Sequence, residues 1–346
     1  MNSMTSSKMD FDNYTGFYND SNEDLLFGEN NNNHLHYDED ETLNGDILQV
    51  AFFLIIFVVG TVGNLLVYYY FSLKKRQRGK GSIIPEHLIS WLAIIDFLSS
   101  VLNPFFQFIG SWEVSEVLCK IFGPLSIILN STSILILFII AFDREQTIVF
   151  NKLQYFTKAS SNAALVIAIL YSIIINSYLF REFKMIGGRS DSFDRSKHRC
   201  DIQPHRYQNS YNIPRIVSYV LGDVIIFIAL LIINIFIVSR KRFYNFDDWK
   251  LGALWQKRRK DSLKILRMVN FMVIAYFVVI LPKKIISMVF LASHLLGLTL
   301  KWTTTVDYVI SYLEWLAASK ACLNFPIYCY AHNSFRTFVR KLVCRK

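Results

Sequence analysis

"FIIAFDREQTIVF" occupies positions 138 to 150, and its reading decides the fold. An apolar run ends on two adjacent opposite charges, Asp143 and Arg144, with Glu145 behind them. On a water-soluble domain such a triplet is solvated surface. At the end of a membrane span it is an ionic group set where lipid gives way to water, and the rest of the chain decides between the two.

The chain has 346 residues, of which 53% are hydrophobic and 15% aromatic, and a mean hydropathy of +0.30. That is too apolar for an ordinary soluble domain. Apolar runs of the length that crosses about 30 Å of hydrocarbon recur near 47-73, 83-109, 120-142, 159-181, 213-239, 265-291 and 306-330. Lipid offers no partners for backbone amides and carbonyls, so each run is expected to be helical despite its Val, Ile and Phe content. The fold class expected is an all-α membrane protein, a seven-transmembrane helix bundle over 47-330, with no internal repeat of the transporter kind.

Lysine and arginine asymmetry in the short loops sets the orientation. "SLKKRQRGK" (72-80), "SRKRF" (239-243), "WQKRRKDSLKILR" (255-267) and "RTFVRKLVCRK" (336-346) are expected in the cytoplasm. The basic loop around 181-215 runs against the rule and is outvoted. An odd number of spans then puts the amino terminus outside. The net charge of +10 hides a division: residues 1-46 hold eleven acids against the single base Lys8. This leader has no basic-then-apolar signal pattern, carries "NNNN" at 30-33, and reads as disordered.

Among five cysteines, Cys119 at the mouth of the third span and Cys200 in the long outer loop face the oxidising side, whereas Cys322, Cys329 and Cys344 sit in or below the membrane. A Cys119–Cys200 disulfide would pin the loop over the bundle; two free thiols are the alternative.

The charged triplet falls one full span after Cys119. This order resembles the rhodopsin-like (class A) G-protein-coupled receptors. "GTVGNLLV" carries Gly63 and Asn64, "LAIIDFL" carries Asp96, "DRE" stands for the family's Asp-Arg-Tyr, and "CLNFPIYCY" is similar to Asn-Pro-x-x-Tyr with the proline displaced, leaving Asn324 and Tyr328 in register. "SFRTFVRKL" resembles the family's short amphipathic helix along the inner leaflet, here within 331-346. Glu314, ten residues before Asn324, the tryptophan-bearing "SWEVSEVLCK", Pro104 and the acidic, tyrosine-rich leader resemble the chemokine receptors. Departures are as informative. Ile280 stands where the family has its switch tryptophan, Tyr276 replaces a phenylalanine, the fifth span lacks the family's proline, Tyr171 is nearest to a missing tryptophan in span four, and no cysteine could tie the leader to span seven. Such drift, with an Asn/Ile/Phe/Lys-rich composition, suggests a virally encoded or fast-diverging member.

The resemblance implies roles for the charges. Asp143 and Arg144 would form the resting inner lock, with Pro282, Asn324 and Tyr328 as parts of the switch; Ser262 replaces an acid that often supplies a second partner. Asp96 and Ser133 would line the cavity where the family binds sodium. Lys320, one turn before Asn324, would point into that cavity and act as a tethered cation in place of sodium, raising basal activity; a lysine snorkelling to a headgroup is the alternative. Ionisable residues inside a bilayer cost roughly 2.5 to 3.5 kcal/mol each on insertion scales, so each calls for a partner. In the outer half two acids match two bases, and we expect Asp223 with Lys284 and Glu314 with Lys283 as ligand-binding groups, or as pairs that serve folding alone.

In the leader, Tyr14, Tyr18 and Tyr37 lie among carboxylates, the setting for sulfation, and Asn13 and Asn19 fit the glycosylation sequon; Asn130 fits it too but lies within a span. An acidic leader steers basic ligands or simply solubilises. Cys344, beside Lys341 and Arg345, is a palmitoylation candidate or a surface thiol. No catalytic constellation, metal-ligand spacing or phosphate loop is present, so an enzyme is not expected, nor a cofactor, nor a nucleic-acid partner. The expectation is a multi-pass plasma-membrane receptor for a basic, chemokine-like protein or peptide, coupled to a heterotrimeric G protein, with self-association left open. A non-signalling scavenger and an ion or solute carrier are the rivals.

Overall fold

A computed structural model describes residues 34–78, 84–109, 116–149, 156–186, 199–202, 209–241, 253–296 and 304–344. The helices are α1 (His34–Arg78), α2 (Ile84–Ile109), α3 (Glu116–Val149), α4 (Lys158–Asn176), the single turn α5 (Leu179–Glu182), α6 (Asn209–Val217), a π-helical stretch (Ser218–Val224), α7 (Ile225–Lys241), α8 (Ala253–Leu295), α9 (Thr304–Ala318), α10 (Lys320–Ala331) and α11 (Asn333–Val343). Residues through Leu48 group apart from Gln49–Lys346, and the bundle described below is the second unit. α1 begins at His34, inside the stretch that composition marks as a disordered leader. Extending an existing helix adds one hydrogen bond per residue and avoids the nucleation cost.

Among the described residues six segments are long and apolar enough to cross a membrane: Ile47–Lys74, Glu86–Phe105, Glu116–Gln146, Lys158–Glu182, Ile213–Phe236 and Leu263–Phe290. The seventh span is not the single helix expected over 306-330. It is broken at Ser319, whose amide donates to both Trp315 O and Leu316 O at 3.1 Å and whose hydroxyl donates to Leu316 O at 2.6 Å. A serine that bonds its own preceding turn gives the backbone an alternative to the regular ladder. The shorter apolar segment Val309–Ala318 lies before the break, and α10 resumes at Lys320.

α3 is the axis of the bundle, packing against α2, α4, α7 and α8. The core around it holds Leu92, Ile136, Ile140, Leu230, Leu266 and Val269. Ile167, Ile174 and Val278 point outward and exposed, as residues facing hydrocarbon do. Four buried hydroxyls bond the preceding turn of their own helix: Ser90 donates to Glu86 O, Ser100 to Asp96 O, Thr132 to Ile128 O and Ser172 to Ala168 O. α1 closes on its neighbours through small residues, because a Cβ on Gly63 would fall 2.6 Å from Phe325 Cβ. Such close approach is how membrane helices gain packing without a hydrophobic drive between them.

The connection between the fourth and fifth spans adds a small hairpin to the helical bundle. β1 (Phe183–Ile186) runs antiparallel to β2 (Arg199–Ile202), with Met185 opposite Cys200. Cys200 is disulfide-bonded to Cys119, Cα to Cα 5.7 Å, and Phe183 lies against Gly123. The hairpin is thereby fastened to the first turns of α3.

Candidate functional site

Ionic and polar side chains form a broken column from the disulfide end of the bundle to the Arg144 end. From Cys119 to Arg144 is 25 residues of helix, about 37 Å at 1.5 Å per residue.

At the disulfide end, Pro282 sits inside α8 and is followed by two lysines. Neighbours on a helix diverge by about 100°, so one lysine reaches each side. Lys284 Nζ meets Asp223 Oδ2 at 2.6 Å and lies 5.0 Å over the Tyr219 ring, while Lys283 Nζ meets Glu314 Oε1 at 3.0 Å. Asp223 is carried by the π-helical stretch Ser218–Val224, where a wider turn shifts the register of its side chains relative to an α-helix. Two α4 side chains contact that stretch: Tyr171 Oη donates to Leu221 O at 3.0 Å, and Asn176 Oδ1 accepts from Ser218 at 3.4 Å. Arg215 and Glu182 form a further pair at 3.2 Å.

Midway, Asp96 is fully buried. It accepts from Ser133 Oγ at 2.7 Å and from Asn324 Nδ2, and Lys320 Nζ stands 3.7 Å from its Oδ1. The same ammonium reaches Asn130 O at 3.4 Å and lies 5.8 Å from the Tyr276 ring centre. Asn130 thus faces the interior, where its Oδ1 accepts from Ser99 at 3.0 Å. Asn64 donates to Ala321 O at 2.8 Å, tying α1 to the first turn of α10. A cavity of about 10 Å³, lined among others by Ser133, Leu137, Met272, Tyr276, Lys320 and Asn324, has room for about one water.

The residues do not suit the sodium ion that the family resemblance implies. Both oxygens of Asp96 are engaged, and a monovalent cation beside it would share the space with the Lys320 ammonium. Two unit charges 4 Å apart repel by about 4 kcal/mol at an effective dielectric of 20. Among the described residues no group of three or more His, Cys, Asp or Glu could hold a metal.

At the far end Asp143 and Arg144, neighbours on α3, are both buried and bonded to each other. Tyr328, also buried, packs its ring 5.7 Å from Phe71 and 6.1 Å from Phe335. His332 caps α11 by accepting from Phe335 N at Nδ1, 3.1 Å. Phe335 is buried while Arg336, Arg340, Lys341 and Cys344 are exposed, so α11 is amphipathic. Lys74 meets Glu86 at 2.7 Å between α1 and α2.

Tyr14, Tyr18, Asn13 and Asn19 lie outside the described residues, and Tyr37 falls in the first turn of α1; the side chain of Ser262 is likewise outside them. Sequence reasoning missed the Lys74–Glu86 and Arg215–Glu182 pairs, the Tyr171 contact and the inward role of Asn130. Each joins residues with no shared motif; only opposite charges at similar depth could have flagged the two ion pairs.

A bundle of seven spans, sealed at one end by a disulfide-bound hairpin and holding a buried arginine at the other, with a polar column between, is the architecture of a membrane receptor. The chain belongs to the rhodopsin family of seven-transmembrane receptors: the family described as "7 transmembrane receptor (rhodopsin family)" matches residues 63–328. It is a G-protein-coupled receptor and not an enzyme. It is 24% identical over 305 residues to the C5a anaphylatoxin chemotactic receptor 1 of Oryctolagus cuniculus, covering 85% of this chain and 79% of that one. It is 25% identical over 307 residues to Melanopsin-B of Xenopus laevis, covering 85% of this chain and 54% of the relative. It is also 22% identical over 306 residues to the histamine H2 receptor of Homo sapiens, covering 84% and 77%.

Proposed function

We propose that this receptor stands in the plasma membrane with its amino terminus outside, binds an extracellular protein or peptide at the disulfide end, and activates heterotrimeric G proteins through the Arg144 end. The observation that carries the reading is the buried Asp143–Arg144 pair at the end of α3 remote from the disulfide. A guanidinium is never deprotonated in a protein and is costly to bury, so a buried Arg144 held against Asp143 is a strong donor that a partner with better acceptors could draw away from that carboxylate. Identity to a chemotactic receptor, together with Glu314 and the acidic leader, favours a chemokine-like or other chemotactic protein ligand over a small amine.

Lys320 supports elevated basal activity. A cation tethered beside Asp96 cannot leave, so whatever an exchangeable ion would regulate there is set permanently. A scavenger that binds ligand without signalling is the second reading, favoured by Ile280 at the position of the missing tryptophan. Nucleotide exchange on G proteins, measured without ligand in membranes holding the full chain or its Arg144→Ala variant, separates the two. A signalling receptor gives exchange that falls several-fold in the variant; a scavenger gives none in either.

A further inference from the structure

The fifth span changes its hydrogen-bond spacing partway along, and the change leaves one carbonyl to be accounted for. At the end of the π-helical stretch Ser218–Val224 the amide of Ile225 donates to Val220 O, five residues back, and α7 begins at Ile225. An α-helix spaces its bonds four residues apart, so the next amide, that of Ile226, is aimed at Gly222. The step from five to four passes over Leu221 O. No proline lies between Ser218 and Lys241, so the irregularity is not imposed by a missing amide. The stretch lies within the span Ile213–Phe236, and Leu221 is exposed on its outer side. Hydrocarbon holds no water to meet a carbonyl passed over there, and an unmet backbone group in it is costly.

Tyr171 Oη of α4 donates to that oxygen at 3.0 Å. The two elements are fitted together around the bond. A Cβ on Gly222 would fall 3.1 Å from Ile175 Cγ2, and Ile175 lies one turn beyond Tyr171 on α4. Ser218, the first residue of the stretch, donates to Asn176 Oδ1 at 3.4 Å. Asn176 Nδ2 is itself anchored, donating to Ser172 O at 2.8 Å and to Ser131 Oγ of α3 at 3.3 Å. The start of the stretch and the carbonyl at its fault are therefore both held from α4.

We propose that Tyr171 is a positioning residue: its hydroxyl supplies the hydrogen bond that Leu221 O loses to the π register, and so fixes the side of the fifth span from which Asp223 reaches Lys284. Asp223 lies two residues beyond Leu221. Adjacent residues of an α-helix diverge by about 100°, and a π turn holds more residues than an α turn. Return of the stretch to uniform α-helix would rotate Asp223 away from Lys284 Nζ, which its Oδ2 meets at 2.6 Å. Tyr171 thus links α4 to α8 through a residue that belongs to neither. The inference concerns how Asp223 is placed and goes beyond the receptor reading above.

The test uses the full-length receptor in lipid nanodiscs. Tyr171 is changed to Phe (Tyr171→Phe), to para-aminophenylalanine, which keeps a donor at the end of the ring, or to para-methoxyphenylalanine, which keeps an oxygen there with no hydrogen to give. Amide hydrogen exchange of residues 218–226 is followed by mass spectrometry, and thermal unfolding is measured for each receptor with and without Asp223→Asn. Exchange in this segment is expected to speed several-fold in Tyr171→Phe and in the methoxy receptor, and to stay as in the unmodified receptor with the amino group. The fall in unfolding temperature caused by Asp223→Asn is expected to shrink by roughly half in Tyr171→Phe, since coupled groups give non-additive losses and an acid no longer aimed at Lys284 has less to lose. A ring that serves only as packing would leave that fall unchanged. Unchanged exchange in Tyr171→Phe, a methoxy receptor that exchanges like the unmodified one, or an Asp223→Asn loss equal in both backgrounds overturns the proposal. If Tyr171→Phe does not fold, the amino and unmodified receptors are compared: matching exchange supports the proposal and faster exchange with the amino group overturns it. Neither readout needs ligand or G protein, so failure here is distinguishable from failure of the receptor reading, which nucleotide exchange decides.

Discussion

The ammonium of Lys320 stands 3.7 Å from the carboxylate of Asp96, with the two side chains retaining 9% and 0% of their exposure. The acid also accepts from Ser133 and Asn324, so three helices, α2, α3 and α10, meet on one carboxylate.

Removing one partner from this cluster leaves a buried charge uncompensated, which costs about 3 to 5 kcal/mol, whereas removing both costs far less. Lys320→Met and Asp96→Asn are each expected to lower the unfolding temperature and surface expression, and the double variant to recover most of the loss. A double variant whose losses simply add would show that the two groups do not interact.

Because the cation is covalently attached, exchange of sodium for choline at constant ionic strength is expected to leave thermal stability and basal signalling unchanged. A stabilisation of the unmodified receptor specific to sodium would show that an ion is held despite the ammonium. Lys320→Met is expected to gain a sodium response if it folds.

The two outer pairs are expected to respond unequally, since Asp223 and Lys284 retain 11% and 29% of their side-chain exposure whereas Glu314 and Lys283 retain 45% and 34%. Asp223→Asn should destabilise by roughly 3 kcal/mol and be rescued in part by Lys284→Met. Glu314→Gln should change stability by less than about 1 kcal/mol while altering ligand response. Denaturation of each variant alongside a binding assay checks both, and equal destabilisation would remove the distinction between a buried and an exposed pair.

Cys200→Ser frees the hairpin from α3. Loss of a disulfide costs about 2 to 5 kcal/mol in small secreted domains, and a comparable drop is expected, reproduced by reducing the unmodified receptor. Thermal unfolding with and without reductant measures it.

Gly63→Val puts branched carbon where Phe325 already lies. Overpacking of this kind typically costs 1 to 3 kcal/mol, so reduced surface expression is expected, with partial recovery in Gly63→Val/Phe325→Ala. Normal expression of the single variant would mean that α1 can back away from α10 freely.

Much of this protein is written in the chain itself, because a bilayer admits few solutions. Apolar length specifies spans, hydrocarbon forces helices, and the spacing from Cys119 to "DRE" locates both ends of α3. Opposite charges at matching depth even allow Lys283 to be matched with Glu314 and Lys284 with Asp223, since an unpaired charge there is costly. What tertiary structure alone decided depends on backbone register and on contacts between distant segments. The π-helical stretch that carries Asp223, the break at Ser319, the hairpin on α3, the meeting of Tyr171 with Leu221 and the inward turn of Asn130 leave no periodic trace. Each is settled by which neighbour happens to supply a hydrogen bond or a gap. Hydropathy reports how deep a residue lies; it does not report which way that residue faces or what it meets there.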